Sequence, residues 1–273
     1  MFAATDTADN DLKGTLPHEI QGLKSLQHLD IQSNKQLIVE YLPSTGFMEA
    51  FDLANTPLMI PPQKAERIFG KLFEANPNLK VLNLGNTGLS GELAYMIPED
   101  DWKYATNLKI LVFAVNDFAG PLPESLSKLK MLEKLSMSGN KFTQIPNAWF
   151  EDGSFPSLKE LQLTRNLLVG TLPSPPSLQM TNIPPMPLLR KLFLNRNEFY
   201  GTIPSTFSQL SNIEMLDLSC NVLTGELPEE LVILSNLRVL YLEGNILEGD
   251  LSNLPDNSFS HLGTLNTFRA YSQ

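Results

Sequence analysis

One phrase of apolar residues recurs along this chain and limits what it can fold into. In Ile213–Pro228 it reads IEMLDLSCNVLTGELP: Ile213, Leu216 and Leu218, then Asn221, Leu223, Gly225, Leu227 and Pro228. The phrase returns at Leu237–Leu251, Leu189–Pro204, Leu158–Pro173, Leu132–Pro146 and Leu108–Pro123, with looser copies starting at Leu79, Met48 and Leu26. Self-similarity at a period of about 24 residues marks a solenoid.

The stretch LxxLxL is a short strand whose leucines all turn into a shared interior. One copy cannot bury that face alone; stacked copies make a continuous core. In nine repeats every residue at the three positions is Leu, Ile, Phe or Met. Three residues past the last strand leucine stands an Asn (Asn34, Asn116, Asn140, Asn166, Asn197, Asn221, Asn245). A polar side chain facing the core must be hydrogen-bonded, so these residues are expected to form a ladder that satisfies backbone groups of neighbouring turns. Thr56 and Thr87 take the Asn place in two repeats, and the ladder is expected to break there.

The chain resembles the leucine-rich repeat family. The tail of the phrase narrows the resemblance to its plant-type subclass: Leu12-Lys-Gly14-Thr-Leu16-Pro17, Phe118-Ala-Gly120-Pro-Leu122-Pro123, Leu168-Val-Gly170-Thr-Leu172-Pro173, Phe199-Tyr-Gly201-Thr-Ile203-Pro204 and Leu223-Thr-Gly225-Glu-Leu227-Pro228. The implied fold is an α/β solenoid, a right-handed superhelix. A parallel β-sheet lines its concave face, and short helices, 3-10 turns and loops form its convex face. The repeats look like those of receptor-like proteins, receptor-kinase ectodomains and polygalacturonase-inhibiting proteins. The fold alone does not name a function, because one scaffold carries many unrelated sites.

In a solenoid each repeat touches only its neighbours, so residues 1–273 are read as one domain of about nine full repeats with partial repeats at both ends. A net charge of −10 argues against a general nucleic-acid partner. No run of about 20 apolar residues is present, so no membrane insertion is expected within this chain. The single cysteine, Cys220, excludes a disulfide framework within the chain. Members of the resembled subclass that are exported usually carry paired-cysteine caps, absent here, and N-x-S/T sequons are absent too. Both ends read as cut, so the chain is expected to be an excerpt of a longer protein at the cell surface, or else an intracellular protein.

Three stretches depart from the repeat. After Pro61-Pro62, apolar residues at Ala65, Ile68, Phe69, Leu72 and Phe73 follow helical spacing and predict an amphipathic helix over Lys64–Ala75. Glu99-Asp100-Asp101 beside Trp102 lacks the ligand spacing of a calcium loop and is expected to sit at a helix N-terminus. Ser174–Pro187 contains five prolines, which predict polyproline II or turns covering the convex side.

Catalytic chemistry finds no footing. The histidines are His18, His28 and His261, and no metal-binding, phosphate-binding or nucleophile motif occurs. His28 and Asp30 share the outward side of one strand, with Ser33 the only nearby hydroxyl. No cofactor or metal is expected. What remains is the concave face, where residues between the strand leucines project outward. One column just before the Asn reads Ser33, Asn55, Asn86, Val115, Gly139, Arg165, Arg196, Cys220, Gly244. Another, between the last two leucines, reads Asp30, Asp52, Asn83, Val112, Ser136, Gln162, Phe193, Asp217, Tyr241.

Three zones result. Asp30, Asp52 and Asn83 are acidic and polar; Val112, Ala114 and Val115 are apolar. Gln162, Arg165, Phe193, Asn195, Arg196, Asp217, Tyr241 and Glu243 form the third zone, the expected ligand-binding site. Arg165 and Arg196 stand about one strand spacing apart and repel unless carboxylates answer them. Those are either Asp217 and Glu243 within the protein or a carboxylate on a partner, which Arg binds in bidentate fashion. Phe193 and Tyr241 add exposed aromatic area of the kind that anchors interfaces. The chain is therefore expected to be a non-catalytic module that binds a protein or peptide on its concave face. The alternatives are an intracellular scaffold or an ice- or wall-binding array, and an array needs one small polar residue repeated down each column.

Overall fold

The computed structural model describes residues 4–6, 8–60, 62–174, 184–249 and 264–266. Eleven three-residue strands, from Ala4–Asp6 to Thr264–Asn266, form one parallel sheet whose strand order follows the chain. Equivalent residues pair without slippage: Leu111 lies opposite Leu135, Leu135 opposite Leu161, Leu161 opposite Leu192, and Leu192 opposite Leu216. At all three leucine positions, all nine repeats bury their side chains. Each such burial is worth about 1.5–3 kcal/mol relative to exposure, which explains why the phrase tolerates only large apolar residues there. The solenoid follows from that.

The turn out of the sheet is built from side chains. Nδ2 of Asn166 donates to the carbonyls of Met137 (3.1 Å), one turn back, and Leu163 (3.0 Å), in its own turn. Its Oδ1 accepts from the Phe142 N–H at 3.1 Å. Asn116, Asn140, Asn197, Asn221 and Asn245 repeat the pattern. The expected break at the threonines is only partial. Thr56 Oγ1 donates back to Ile31 O at 2.7 Å and accepts from Asn34 N, so one hydroxyl spans the step that a carboxamide spans elsewhere. Thr87 instead bonds its own turn at Leu84 O and faces forward to Asn116 Oδ1.

The bend also has a backbone signature. Asp9, Ser33, Asn55, Asn86, Val115, Gly139, Arg165, Arg196, Cys220 and Gly244, each just before the ladder position, take positive φ between 51° and 71°. Asn and Gly reach this left-handed region readily, whereas a β-branched residue is a true outlier in it. Val115 therefore holds strain on an exposed side chain.

Beyond the ladder, the xLxG stretches form short flanking sheets, among them Val169–Thr171, Glu198–Gly201, Val222–Gly225 and Ile246–Leu247. The proline that closes the phrase then starts the convex segment. Pro17, Pro123, Pro146, Pro204 and Pro228 each precede a 3-10 helix with φ between −61° and −68°. Proline's ring fixes that angle, and its missing N–H costs nothing at a helix start.

The amphipathic helix predicted over Lys64–Ala75 forms in two pieces, α1 (Pro62–Ala65) and α2 (Ile68–Ala75), divided at Arg67 with φ 54°. Arg67 turns out of the helix to grip Asp101 with Nε at 2.7 Å and Nη2 at 2.6 Å. Gly70 makes room for that contact, because a Cβ there would lie 2.1 Å from Asp101 Oδ2. The acidic cluster does occupy the first turn of the 3-10 helix Glu99–Tyr104. Glu99, however, serves the next helix, accepting from the N–H groups of Glu124 and Ser125 at 2.9 Å each. Of the proline-rich segment, 175–183 lies outside the described residues, as do 250–263 and 267–273.

Two substitutions test this account of the turn. Asn166→Ala removes the acceptor of the Phe142 N–H and one of the two carboxamide donors on each of the Met137 and Leu163 carbonyls, which keep Asn140 Nδ2 and Asn197 Nδ2, and should lower unfolding free energy by about 1–2 kcal/mol in urea titration. Val115→Asn, with the residue type already present at 55 and 86, should raise it by about 1 kcal/mol by relieving left-handed strain.

Candidate functional site

The sheet register turns the outward positions into real columns. Glu160, Leu161 and Gln162 pair with Lys191, Leu192 and Phe193, which pair with Met215, Leu216 and Asp217, then Val239, Leu240 and Tyr241. Past the strands the register continues, with Arg165 N donating to Asn195 O, Arg196 N to Ser219 O and Cys220 N to Glu243 O. All eight residues of the expected site thus lie on four adjacent turns.

They divide into held and free groups. Gln162 is fixed between Ser136 Oγ (2.9 Å) and Glu160 Oε1 (2.6 Å). Asn195 Oδ1 accepts from Thr164 Oγ1 at 2.6 Å, and Asp217 Oδ1 accepts from the Ser219 N–H (3.0 Å) and Oγ (2.6 Å). Phe193 and Tyr241 are half-buried. Arg165 and Arg196 are exposed, and among the described residues no carboxylate lies within 4.0 Å of either. Internal neutralisation by Asp217 and Glu243, one of the two answers left open by the sequence, does not occur. Glu243 has its own deficit: Oε2 is buried and accepts no hydrogen bond.

A third set of columns, missed in the sequence reading, runs along the start of the strands. Lys80 pairs with Glu49 (2.7 Å), Lys109 and Lys159 both with Glu133 (3.2 and 2.6 Å), and Arg190 with Glu214 (3.3 Å). One column inward, Lys134 and Lys191 flank Glu160 at 2.9 and 3.8 Å. Hydrogen bonds from Lys159 and Lys109 hold the Glu133 carboxyl below its usual range. The signal was available: aligning the residues just after the first leucine gives Gln27, Glu49, Lys80, Lys109, Glu133, Lys159, Arg190, Glu214, Arg238. Each exposed pair contributes little, but together they give all four of these carboxylates a cationic partner, with six cations on four carboxylates.

The acidic zone is similarly occupied. Asp52 accepts from Asn83 Nδ2 (2.9 Å) and the Ala54 N–H (2.9 Å), and Asp30 accepts from Gln32. Burial pushes the Asp52 carboxyl above its usual value; the Ala54 and Asn83 bonds oppose this, and Asp30 adds to it. Among the described residues no group of three or more His, Cys, Asp or Glu is placed to hold a metal ion. No helix among them is long and apolar enough to cross a membrane.

A stacked parallel sheet, an Asn ladder and proline-started convex turns define a leucine-rich repeat protein. Residues 187–247 match the family model described as leucine rich repeat, and residues 131–152 match a second model of the same description. Mouse podocan is 27% identical over 232 residues, covering 78% of this chain and 32% of podocan. Receptor-like protein 35 of Arabidopsis thaliana is 31% identical over 172 residues, covering 61% of this chain and 16% of that protein. Among solved structures, the plant peptide hormone receptor RGFR1 in complex with RGF2 superposes with a TM-score of 0.75 at 27% identity, over 94% of this chain and 38% of that one. The chain folds as a leucine-rich repeat solenoid with repeats of the plant type; it spans a third or less of the length of these two curated relatives.

Asp52 supplies a test of the electrostatics. Its folded-state pKa is raised, so the folded chain binds the proton more tightly than the unfolded chain, and stability falls as pH rises through the window above the ordinary value of 3.8. Asn at this position cannot titrate. The stability difference between Asp52→Asn and the parent should therefore move in the variant's favour from pH 3 to pH 6, read by urea unfolding at each pH. A flat or opposite trend would show that Asp52 is not desolvated.

Proposed function

We propose that this chain is a non-catalytic recognition module, a single leucine-rich repeat domain that binds a peptide across the concave face of its last turns. It acts at the cell surface as an ectodomain. The observation that carries the reading is the charge left unanswered there among the described residues: Arg165 and Arg196 with no carboxylate within 4.0 Å, and Glu243 with a buried oxygen that accepts no hydrogen bond. A buried acceptor left unpaired costs about 1–3 kcal/mol, and a bound donor that the Glu243 side chain swings out to meet recovers it.

The spacing suits a short zwitterionic segment. Arg196 and Glu243 lie two strands apart, about 10 Å, a span matched by about three residues of extended chain. A peptide carboxylate, terminal or acidic, bridges the two guanidinium groups, while a cationic or amide group meets Glu243. Phe193 and Tyr241, between them, offer partly exposed rings as contact surface. RGFR1, solved with RGF2, gives a precedent for peptide recognition on this fold. A repetitive array is not favoured, because the outward columns change residue at nearly every step.

A library of peptides with free C-termini, panned against the purified chain, should yield ligands whose affinity falls about 30-fold or more with Arg165→Glu or Arg196→Glu, measured by calorimetry. Glu243→Gln should weaken the same ligands. If selected ligands bind the parent and both reversed variants equally, recognition lies outside the third zone.

A further inference from the structure

A cavity of about 450 Å³ opens on the convex side between the 3-10 helices Glu99–Tyr104 and Glu124–Lys128. Its walls are mostly carbon, with Trp102 and Leu129 among them, and lysine stems add to such surface. Trp102 is 1% exposed, and its Nε1–H is buried without an acceptor. Trp149, in the 3-10 helix Asn147–Phe150 that follows Pro146, donates its Nε1–H to Pro123 O at 3.0 Å. The two indoles sit in comparable convex segments, and only one is satisfied. An N–H can only donate, so the group missing beside Trp102 is an acceptor.

The charges around the cavity say more about that group. Lys103, Lys128 and Lys130 line it, and among the described residues none of the three has a carboxylate within 4.0 Å. Lys103 Nζ instead lies 5.0 Å from the Tyr104 ring centroid. Of the two acids present, Glu99 is committed to the backbone N–H groups of Glu124 and Ser125. Two carboxylates, only Asp100 of them with no backbone N–H bond to hold it, stand against three ammonium groups, a surplus of one positive charge in a chain whose overall charge is −10. The cationic bias is local.

We propose that this cavity binds a small organic carboxylate with an apolar body. On binding, the Trp102 indole shifts to open its Nε1–H, closed off in the unliganded chain, to one carboxylate oxygen; the other oxygen meets the lysines, and the apolar part fills the carbon-lined space. The volume falls within the range of about 300–1,000 Å³ usual for small-molecule sites. The cavity lies on the opposite side from the concave sheet, so it is independent of the peptide reading above.

The chain has two tryptophans, so indole N–H signals report the site directly. With ¹⁵N-labelled protein and Trp149→Phe to assign the peaks, titration with 2-naphthoate should shift the Trp102 indole signal saturably and leave the Trp149 signal in place. The neutral 2-naphthylmethanol should bind at least about tenfold more weakly. Lys128→Glu with Lys130→Glu, both exposed and so expected to leave the melting temperature unchanged, should weaken 2-naphthoate by a similar factor. The proposal fails if the Trp102 signal stays still to millimolar 2-naphthoate, if the alcohol binds equally well, or if the charge reversals leave affinity unchanged.

Discussion

The fold depends on how a backbone leaves a buried sheet without abandoning its polar groups. Each strand ends at a bend where carbonyls and N–H groups of adjacent turns face the core side and cannot reach water. The Asn carboxamide offers two donors and an acceptor at the needed spacing, and Asn166 uses them on Met137, Leu163 and Phe142. An apolar residue here would strand the Phe142 N–H, at about 1–3 kcal/mol, and leave the Met137 and Leu163 carbonyls with one carboxamide donor each, from Asn140 and Asn197. Thr56 shows the minimum that suffices, since one hydroxyl both donates to Ile31 and accepts from Asn34.

That bend sets the conformation of the residue before it. Ten positions from Asp9 to Gly244 adopt positive φ, and the column that results is mostly small, polar or glycine. Arg165 and Arg196 belong to it, as does Val115. Long or branched side chains in left-handed backbone carry a conformational cost, and such cost tends to gather where a surface is used. Two arginines held there, side by side and with no carboxylate within 4.0 Å among the described residues, are hard to explain by packing, because both are exposed. The same geometry that makes the turn thus presents these side chains outward in a fixed row.

Much of this was legible in the sequence, for a physical reason. The leucine and Asn positions answer to constraints that repeat every turn, so nine copies of the phrase reveal them together. The break at Arg67 has no such repetition. It comes from one contact with Asp101, which lies 34 residues away in sequence, and from Gly70 clearing space for it. Helical periodicity in Lys64–Ala75 carries no trace of a distant carboxylate. The charge columns were legible but unread, because only two of the outward columns were aligned. Glu133 between Lys109 and Lys159 needs the residue after the first leucine as well.

Those columns also sharpen the choice of site. On a sheet with spacing of about 4.8 Å, neighbouring like charges are costly and neighbouring unlike charges cancel, so a face with no ligand should drift toward internal pairing. The carboxylates of the strand-entry columns obey this, from Glu49–Lys80 to Arg190–Glu214, although among the described residues Arg238 in the same column has no carboxylate within 4.0 Å. Asp52 and Asn83 obey it with hydrogen bonds. Arg165, Arg196 and Glu243 do not, although Asp217 lies one strand from Arg196 and spends its bonds on Ser219 instead. Where pairing was available and was not taken, the unpaired groups are free to meet another molecule, and the concave face is thereby divided into an ion-paired border and an unpaired interior.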